Sequence, residues 1–212
     1  MMYRVNDIFY SLQGEGHNTG RAAVFVRFAG CNLRCPFCDT EFDAYRDMSV
    51  DDILAEMLRL QAVDGRLAPV DDRRLVVLTG GEPTLQVDEA FVDALHQHGY
   101  EVAMESNGTR PAPKNLDWLT VSPKGVVGGT EAPGGAGTRL PDELKVIFDE
   151  HTDPEAFLSL LSPLHSTLLY LQPCDTGDAE RNARIIARCL DYIKTHPHWR
   201  LSLQTHKLVG FK

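Results

Sequence analysis

Seven short runs of aliphatic, β-branched and aromatic residues recur along this chain: Ala23 to Phe28, Leu75 to Thr79, Tyr100 to Glu105, Trp118 to Val121, Leu144 to Phe148, Leu168 to Gln172 and Trp199 to Leu203. Several are almost unbroken, as in Leu75, Val76, Val77 and Leu78. A strand without polar alternation has both faces covered, which is the situation of a parallel sheet under crossover helices. Helical periodicity fills several gaps. Ser49 can cap a helix bearing Ile53, Leu54, Met57 and Leu58, with Asp52 closing a capping box. Asp88 to His98 groups Phe91, Val92 and Leu95 and stops at Gly99, while Asp153 to Leu161 and Ala179 to His196 complete the set, the last ended by Pro197. Strands alternating with helices give an α/β fold with right-handed crossovers.

The alternation is incomplete. Between Glu105 and Trp118 only a Pro-containing link fits, so one crossover helix is missing or reduced. Residues 125–138 are rich in glycine and read as a surface loop. At 212 residues the chain is shorter than the roughly 250 of an eight-unit barrel. The expectation is an incomplete TIM-type barrel of about six parallel strands with a reduced number of crossover helices. It spans 1–212 as a single domain.

A formal charge of −9, with no run of Lys and Arg to offset it, argues against nucleic acid as a partner. No apolar stretch reaches the roughly 20 residues of a membrane span. Met1 to Tyr10 interleaves Arg4, Asn6 and Asp7 with its apolar residues, unlike a signal peptide. A soluble, cytoplasmic protein is expected.

Three of the five cysteines, Cys31, Cys35 and Cys38, fall within eight residues, directly after an apolar strand. In a reducing compartment a tight, odd-numbered group favours metal or cluster ligation over disulfides. A closed zinc site wants four protein ligands, and the usual [4Fe–4S] site four cysteines. Three cysteines leave one iron of a cubane open, as an enzyme would need if the cluster binds substrate. A zinc loop completed by His17, or simple packing, is the plainer alternative. Cys189 shares a helical face with Ile185 and Ile186 and reads as a buried hydrophobe. Further along, Thr79, Gly80, Gly81, Glu82 and Pro83 close an apolar strand, where paired glycines admit a ligand close to the backbone. Glu105, Ser106 and Asn107, then Ser122, Pro123 and Lys124, then Gln172, Pro173, Cys174 and Asp175 end other strands. Singly each reads as a turn or cap, but their shared rim suggests one site.

The C-x3-C-x2-C spacing with Phe37 before the last cysteine resembles the radical S-adenosylmethionine (SAM) superfamily, and the Gly-Gly-Glu-Pro run is similar to its second element. That resemblance implies one [4Fe–4S] cluster held by Cys31, Cys35 and Cys38. It also implies SAM contacts from Phe37, Cys38, Asp39, Gly81, Glu105, Asn107, Ser122, Pro123, Lys124, Gln172, Pro173, Cys174 and Asp175. The run Ile8 to Gly16, Arg27, the segment ending at Thr40, Glu105 to Thr109, Ser122 to Lys124 and Gln204 to Lys207 resemble the 7-carboxy-7-deazaguanine synthase family across nearly the whole chain.

That family converts 6-carboxy-5,6,7,8-tetrahydropterin to 7-carboxy-7-deazaguanine with loss of ammonia, on the route to queuosine. A deoxyadenosyl radical removes hydrogen from C6. The resemblance implies substrate contacts from Leu12, Gln13, Gly14, Glu15, Arg27, Thr79 and the terminal Lys212. It implies Mg²⁺ at Thr40, a reductant such as flavodoxin or ferredoxin, and a homodimer. The residue types suit a pterin carboxylate, since Gln13 offers a donor and an acceptor to the ring edge and Arg27 can hold the carboxylate bidentately. For Arg27 the plain alternative is a surface ion pair, and for Lys212 a frayed terminus. Rival readings are a glycyl-radical enzyme activase with the same cysteine spacing, and a non-catalytic iron–sulfur or zinc module.

Overall fold

The computed structural model describes residues 1–36, 38, 40–63, 66–67, 73–124, 139–158 and 167–211. The strands are β1 (Tyr3–Leu12), β2 (Ala22–Phe28), β3 (Arg46–Met48), β4 (Ala62–Val63), β5 (Arg66–Leu67), β6 (Arg74–Gly80), β7 (Tyr100–Ser106), β8 (Trp118–Val121), β9 (Glu143–Phe148), β10 (Leu168–Pro173) and β11 (Trp199–Leu201). The helices are α1 (Val50–Gln61), α2 (Glu89–Gln97), α3 (Pro154–Leu158), α4 (Ala179–Thr195) and α5 (Thr205–Val209).

Nine strands form one sheet in the order β11, β10, β9, β8, β7, β6, β2, β1, β3. From β2 to β11 every neighbouring pair is parallel. The antiparallel β1 and then β3 extend the edge beyond β2. This open, mostly parallel sheet is the expected incomplete barrel. Its parallel run holds seven strands among the described residues, one more than the expected count of about six.

Each strand divides its side chains between two faces, and two apolar clusters result. Val24, Val26 and Phe28 of β2, Val76 and Leu78 of β6, Val102 and Met104 of β7, and Leu144 and Val146 of β9 face outward into the larger cluster with Ile53, Met57, Phe91 and Leu95 of α1 and α2. The alternate residues Ala23 and Phe25, Leu75 and Val77, and Ala103 join Phe9 in a smaller cluster on the inner face. Toward the strands' C-terminal ends that inner face turns polar, with Arg27, Thr79 and Glu105 following in the same alternation.

Local signals hold where expected. Ser49 and Asp52 form a reciprocal capping box at 3.1 and 3.0 Å. Asp88 caps α2, and Gly99 ends it at φ +79°. α4 stops at Thr195 ahead of Pro197. Residues 107–117 carry no helix, as the sequence indicated. Three expectations change. The last strand ends at Leu201 rather than Leu203. Cys189 is fully buried beside Ile185, yet Ile186 on the neighbouring face stays 39% exposed. Within the expected Asp153–Leu161 helix the described part is helical from Pro154 to Leu158, which moves its start one residue on, while residues 159–161 and the glycine-rich segment 125–138 lie outside the described residues.

Candidate active site

A cavity of about 600 Å³ opens at the C-terminal ends of the parallel strands. It collects Leu12, Gln13, Gly14, Glu15, Arg27, Cys31, Cys35, Cys38, Thr40, Thr79, Gly81, Glu105, Asn107, Ser122, Lys124, Gln172, Pro173, Cys174 and Asp175. Pro123 is buried but is not part of this lining. Phe37, Asp39 and Lys212 lie outside the described residues.

The cysteine loop is fastened to the end of β6. Gly81 N–H donates to the Phe28 carbonyl and Glu82 N–H to the Gly30 carbonyl, both at 2.9 Å. A Cβ on Gly81 would overlap the Gly30 carbonyl, and Gly80, at φ +119°, lies equally tight on Phe28. What approaches these paired glycines is therefore the protein's own backbone at the root of the cysteine loop. Glu82 is fully buried and accepts from Ser106 Oγ at 2.9 Å and Asn107 N–H at 2.7 Å. Asn107 Nδ2 in turn donates to Asn32 Oδ1 at 2.9 Å. The ends of β6 and β7 and the cysteine loop thus form one hydrogen-bonded unit.

Within that loop Cys38 N–H donates to the Cys35 carbonyl at 3.2 Å, while Cys31 Sγ accepts from Leu33 N–H at 3.4 Å. Burial pushes the Cys35 thiol up, and the nearby Lys124 ammonium works against that rise. Lys124 donates to Ser122 Oγ at 2.8 Å, and burial followed by the charge of Lys145 lowers its own pKa. Among the described residues no three His, Cys, Asp or Glu side chains converge as they would on a single metal ion. A cubane takes each thiolate at a separate iron, so three thiols spread along one cavity wall fit it.

The loop between β1 and β2 closes the floor. Gln13 donates through Nε2 to Glu105 Oε1 at 2.7 Å and accepts through Oε1 from Glu15 N–H at 3.2 Å, so both halves of its amide are engaged inside the protein. Glu15 pairs with Lys145 and accepts from Gln204 Nε2 at 3.0 Å. Gly16 N–H donates to Ser202 Oγ at 3.0 Å, His17 N–H to Glu143 Oε2 at 2.9 Å, and Thr205 N–H to the Gly14 carbonyl at 3.0 Å. Burial alone would raise the Glu15 carboxyl, but the Lys145 ammonium holds it well below the usual carboxylate range. Burial raises Glu143.

Arg27 and Thr79 are register partners on β2 and β6, so both side chains leave the sheet on the cavity face. The Arg27 guanidinium lies 5.3 Å from the centre of the Phe9 ring, which stacks on Phe25 at 4.9 Å. The surface ion pair of the plain alternative is not found: no carboxylate partner of Arg27 occurs among the described residues. Sequence reasoning passed over Lys145, which lines the cavity, while His206, noted only as part of the run Gln204 to Lys207, lines it together with Phe211. Lys145 carried a signal, a lone charge within the otherwise apolar run Leu144 to Phe148.

Comparison with known proteins fits this geometry. Residues 25–127 match the Radical SAM superfamily. A 7-carboxy-7-deazaguanine synthase from Bacteroides thetaiotaomicron is 44% identical over 213 aligned positions, covering 100% of both chains. The corresponding synthase of Bradyrhizobium diazoefficiens is 43% identical, again across 100% of both. The chain belongs to the 7-carboxy-7-deazaguanine synthase family. The crystal structure of QueE from Escherichia coli has the same fold, with a TM-score of 0.73, 29% identity, and coverage of 96% of this chain and 94% of that one. Membership of the radical SAM superfamily implies a [4Fe–4S] cluster and SAM. No helix among the described residues is long and apolar enough to cross a membrane.

Proposed function

We propose that this chain is a radical SAM lyase converting 6-carboxy-5,6,7,8-tetrahydropterin to 7-carboxy-7-deazaguanine, with ring contraction and loss of ammonia. The observation that carries the reading is Arg27, a guanidinium in the cavity above Phe9 without an acidic partner among the described residues. An unmatched guanidinium in an apolar wall calls for an anionic ligand, and a ring-bound carboxylate suits its planar fork while the ring lies on Phe9.

Cys31, Cys35 and Cys38 would hold the cluster. When bound, the cluster and SAM supply the one-electron cleavage that begins hydrogen abstraction at C6. Around them the protein positions and screens. Gly81, Glu105, Asn107, Ser122, Lys124 and the segment Gln172 to Asp175 would bind SAM along the strand ends, with Phe37, Asp39 and Pro123 assigned to the same ligand. Leu12, Gln13, Gly14, Glu15, Arg27 and Thr79 would bind the pterin, joined by the terminal Lys212. The Gln13 amide would present itself to the ring from the position in which Glu105 and Glu15 hold it. Thr40, on the cavity wall, would contribute a hydroxyl to Mg²⁺, with most of that ion's ligands coming from substrate and water. We assign residues 1–212 to one catalytic unit that works in the cytoplasm as a homodimer and is reduced by a flavodoxin or ferredoxin.

Anaerobic incubation of reconstituted protein with the carboxytetrahydropterin, SAM and dithionite tests the assignment. An ultraviolet-absorbing deazapurine and an equivalent of ammonia are expected. SAM cleavage without deazapurine would favour a glycyl-radical activase, and protein that binds zinc but no cluster would favour a non-catalytic module.

A further inference from the structure

Lys145 lines the cavity, yet none of the roles assigned above falls to it. It stands in β9 between Leu144 and Val146, and its side chain is 4% exposed. An unpaired ammonium at that depth would be costly, and here it is shared. Its Nζ pairs with Glu15 of the floor loop and lies 3.6 Å from Glu105 Oε2 at the end of β7. Two carboxylates drawn into one low-dielectric space normally force one another toward protonation. A single ammonium between them offsets that repulsion, and an ionised carboxylate only accepts hydrogen bonds. Glu105 then takes the Nε2 end of Gln13, which leaves the Oε1 end to Glu15 N–H and fixes the polarity of the amide.

The 2-amino group and N3–H of a pterin are adjacent donors, the complement of such a wall. We propose that Lys145 is a positioning residue that sets substrate specificity: it holds Glu15, and Glu105 in addition to the SAM contact assigned to that residue above, as paired acceptors for the amino edge of the pterin, while Arg27 receives the carboxylate. The proposal deepens the pterin assignment and depends on it. A substrate analogue with oxygen in place of the 2-amino group sets an acceptor against an acceptor, and sites built on hydrogen bonds discriminate strongly against such a change.

The test compares kcat and KM for the carboxytetrahydropterin and its 2-oxo analogue in the wild-type enzyme, Lys145→Met and Lys145→Arg. Wild type should prefer the amino substrate by about 100-fold or more in kcat/KM. Lys145→Met should raise KM for the amino substrate about tenfold and shrink the preference by a similar factor, and Lys145→Arg should recover most of both. Lower kcat with the preference intact, or no change in either quantity, would overturn the proposal and leave Lys145 a structural residue. If Lys145→Met does not fold, Glu15→Gln/Lys145→Met removes one buried charge of each sign and is compared with Glu15→Gln alone. A further fall in preference supports the role through Glu105, and an unchanged preference refutes it. Wild-type protein that neither binds nor turns over the pterin would bring down the functional assignment itself, a result distinct from a failure of the variants.

Discussion

Gly81→Ala tests whether the root of the cysteine loop is as tightly seated as its contacts require. The new methyl group would overlap the Gly30 carbonyl and come to 3.1 Å from Cys31 N, and both are backbone atoms that cannot rotate aside. Relief needs the two segments to part, which breaks the Gly81 N–H to Phe28 and Glu82 N–H to Gly30 hydrogen bonds, each 2.9 Å. Two such bonds are worth about 1 kcal/mol each, and forcing a methylene into packed backbone adds about 1–3 kcal/mol. The expected loss is about 3–5 kcal/mol. For a chain of this size, at about 2–4 °C per kcal/mol, that lowers the unfolding midpoint by roughly 6–20 °C. Because Cys31 directly follows Gly30, iron and sulfide content after anaerobic reconstitution should fall with it. Gly99→Ala is the control, since at φ +79° it meets backbone strain but open space, far from the cysteines in sequence. It should cost about 1 kcal/mol and leave iron content unchanged. A Gly81→Ala protein with wild-type melting and a full cluster would refute the reasoning.

Three further outcomes are expected. Cys189, whose thiol burial pushes up to about 12, should resist alkylation at pH 8 in the folded protein, and Cys189→Ala should keep full iron content where Cys31→Ala loses it. Glu15 has a depressed folded pKa, so its contribution to stability is complete above the ordinary carboxyl range and is lost as pH falls through the folded value. The difference in melting temperature between wild type and Glu15→Gln should therefore be widest near pH 7 and narrow toward pH 3. Thr40→Ala should reduce turnover and its dependence on added Mg²⁺ while leaving the visible absorbance of the cluster intact.

The parallel strands and their helices were readable because their signals are local: continuous apolar runs, a capping box at Ser49, a glycine stop at residue 99. β1 was not, although it is ten residues long. A bulge between Val5 and Asp7 shifts its register, so buried Tyr3 and Val5 are followed by Ile8 and Phe9 rather than by a residue in the same phase. The alternation that identifies a strand is interrupted just where it would be counted. β3, at three residues, is too short to leave a pattern. In the site, the cysteines and strand-end motifs stood out by spacing. The partners of Glu15 did not, because Lys145 and Gln204 lie 130 and 189 residues away and no local rule links them. The paired glycines were visible, but their neighbour was not: a sequence shows that something must come close, not that it is Gly30.

The floor of the cavity has a consequence for the order of biosynthesis. Glu15 leaves the ribosome before the parallel sheet, and the groups that hold its loop, Ser202, Gln204 and Thr205, leave after it. The sheet from β6 through β9 can pair as it emerges, since these neighbours follow one another in order along the chain. The cavity cannot close until the segment beyond β11 has been made. Iron and sulfide meeting an elongating chain would find the cysteine loop with an unformed pocket beside it. With the cluster on the cysteine loop as proposed, a product truncated ahead of Ser202 is expected to bind less iron than the full chain, because its floor loop lacks the partners Ser202, Gln204 and Thr205.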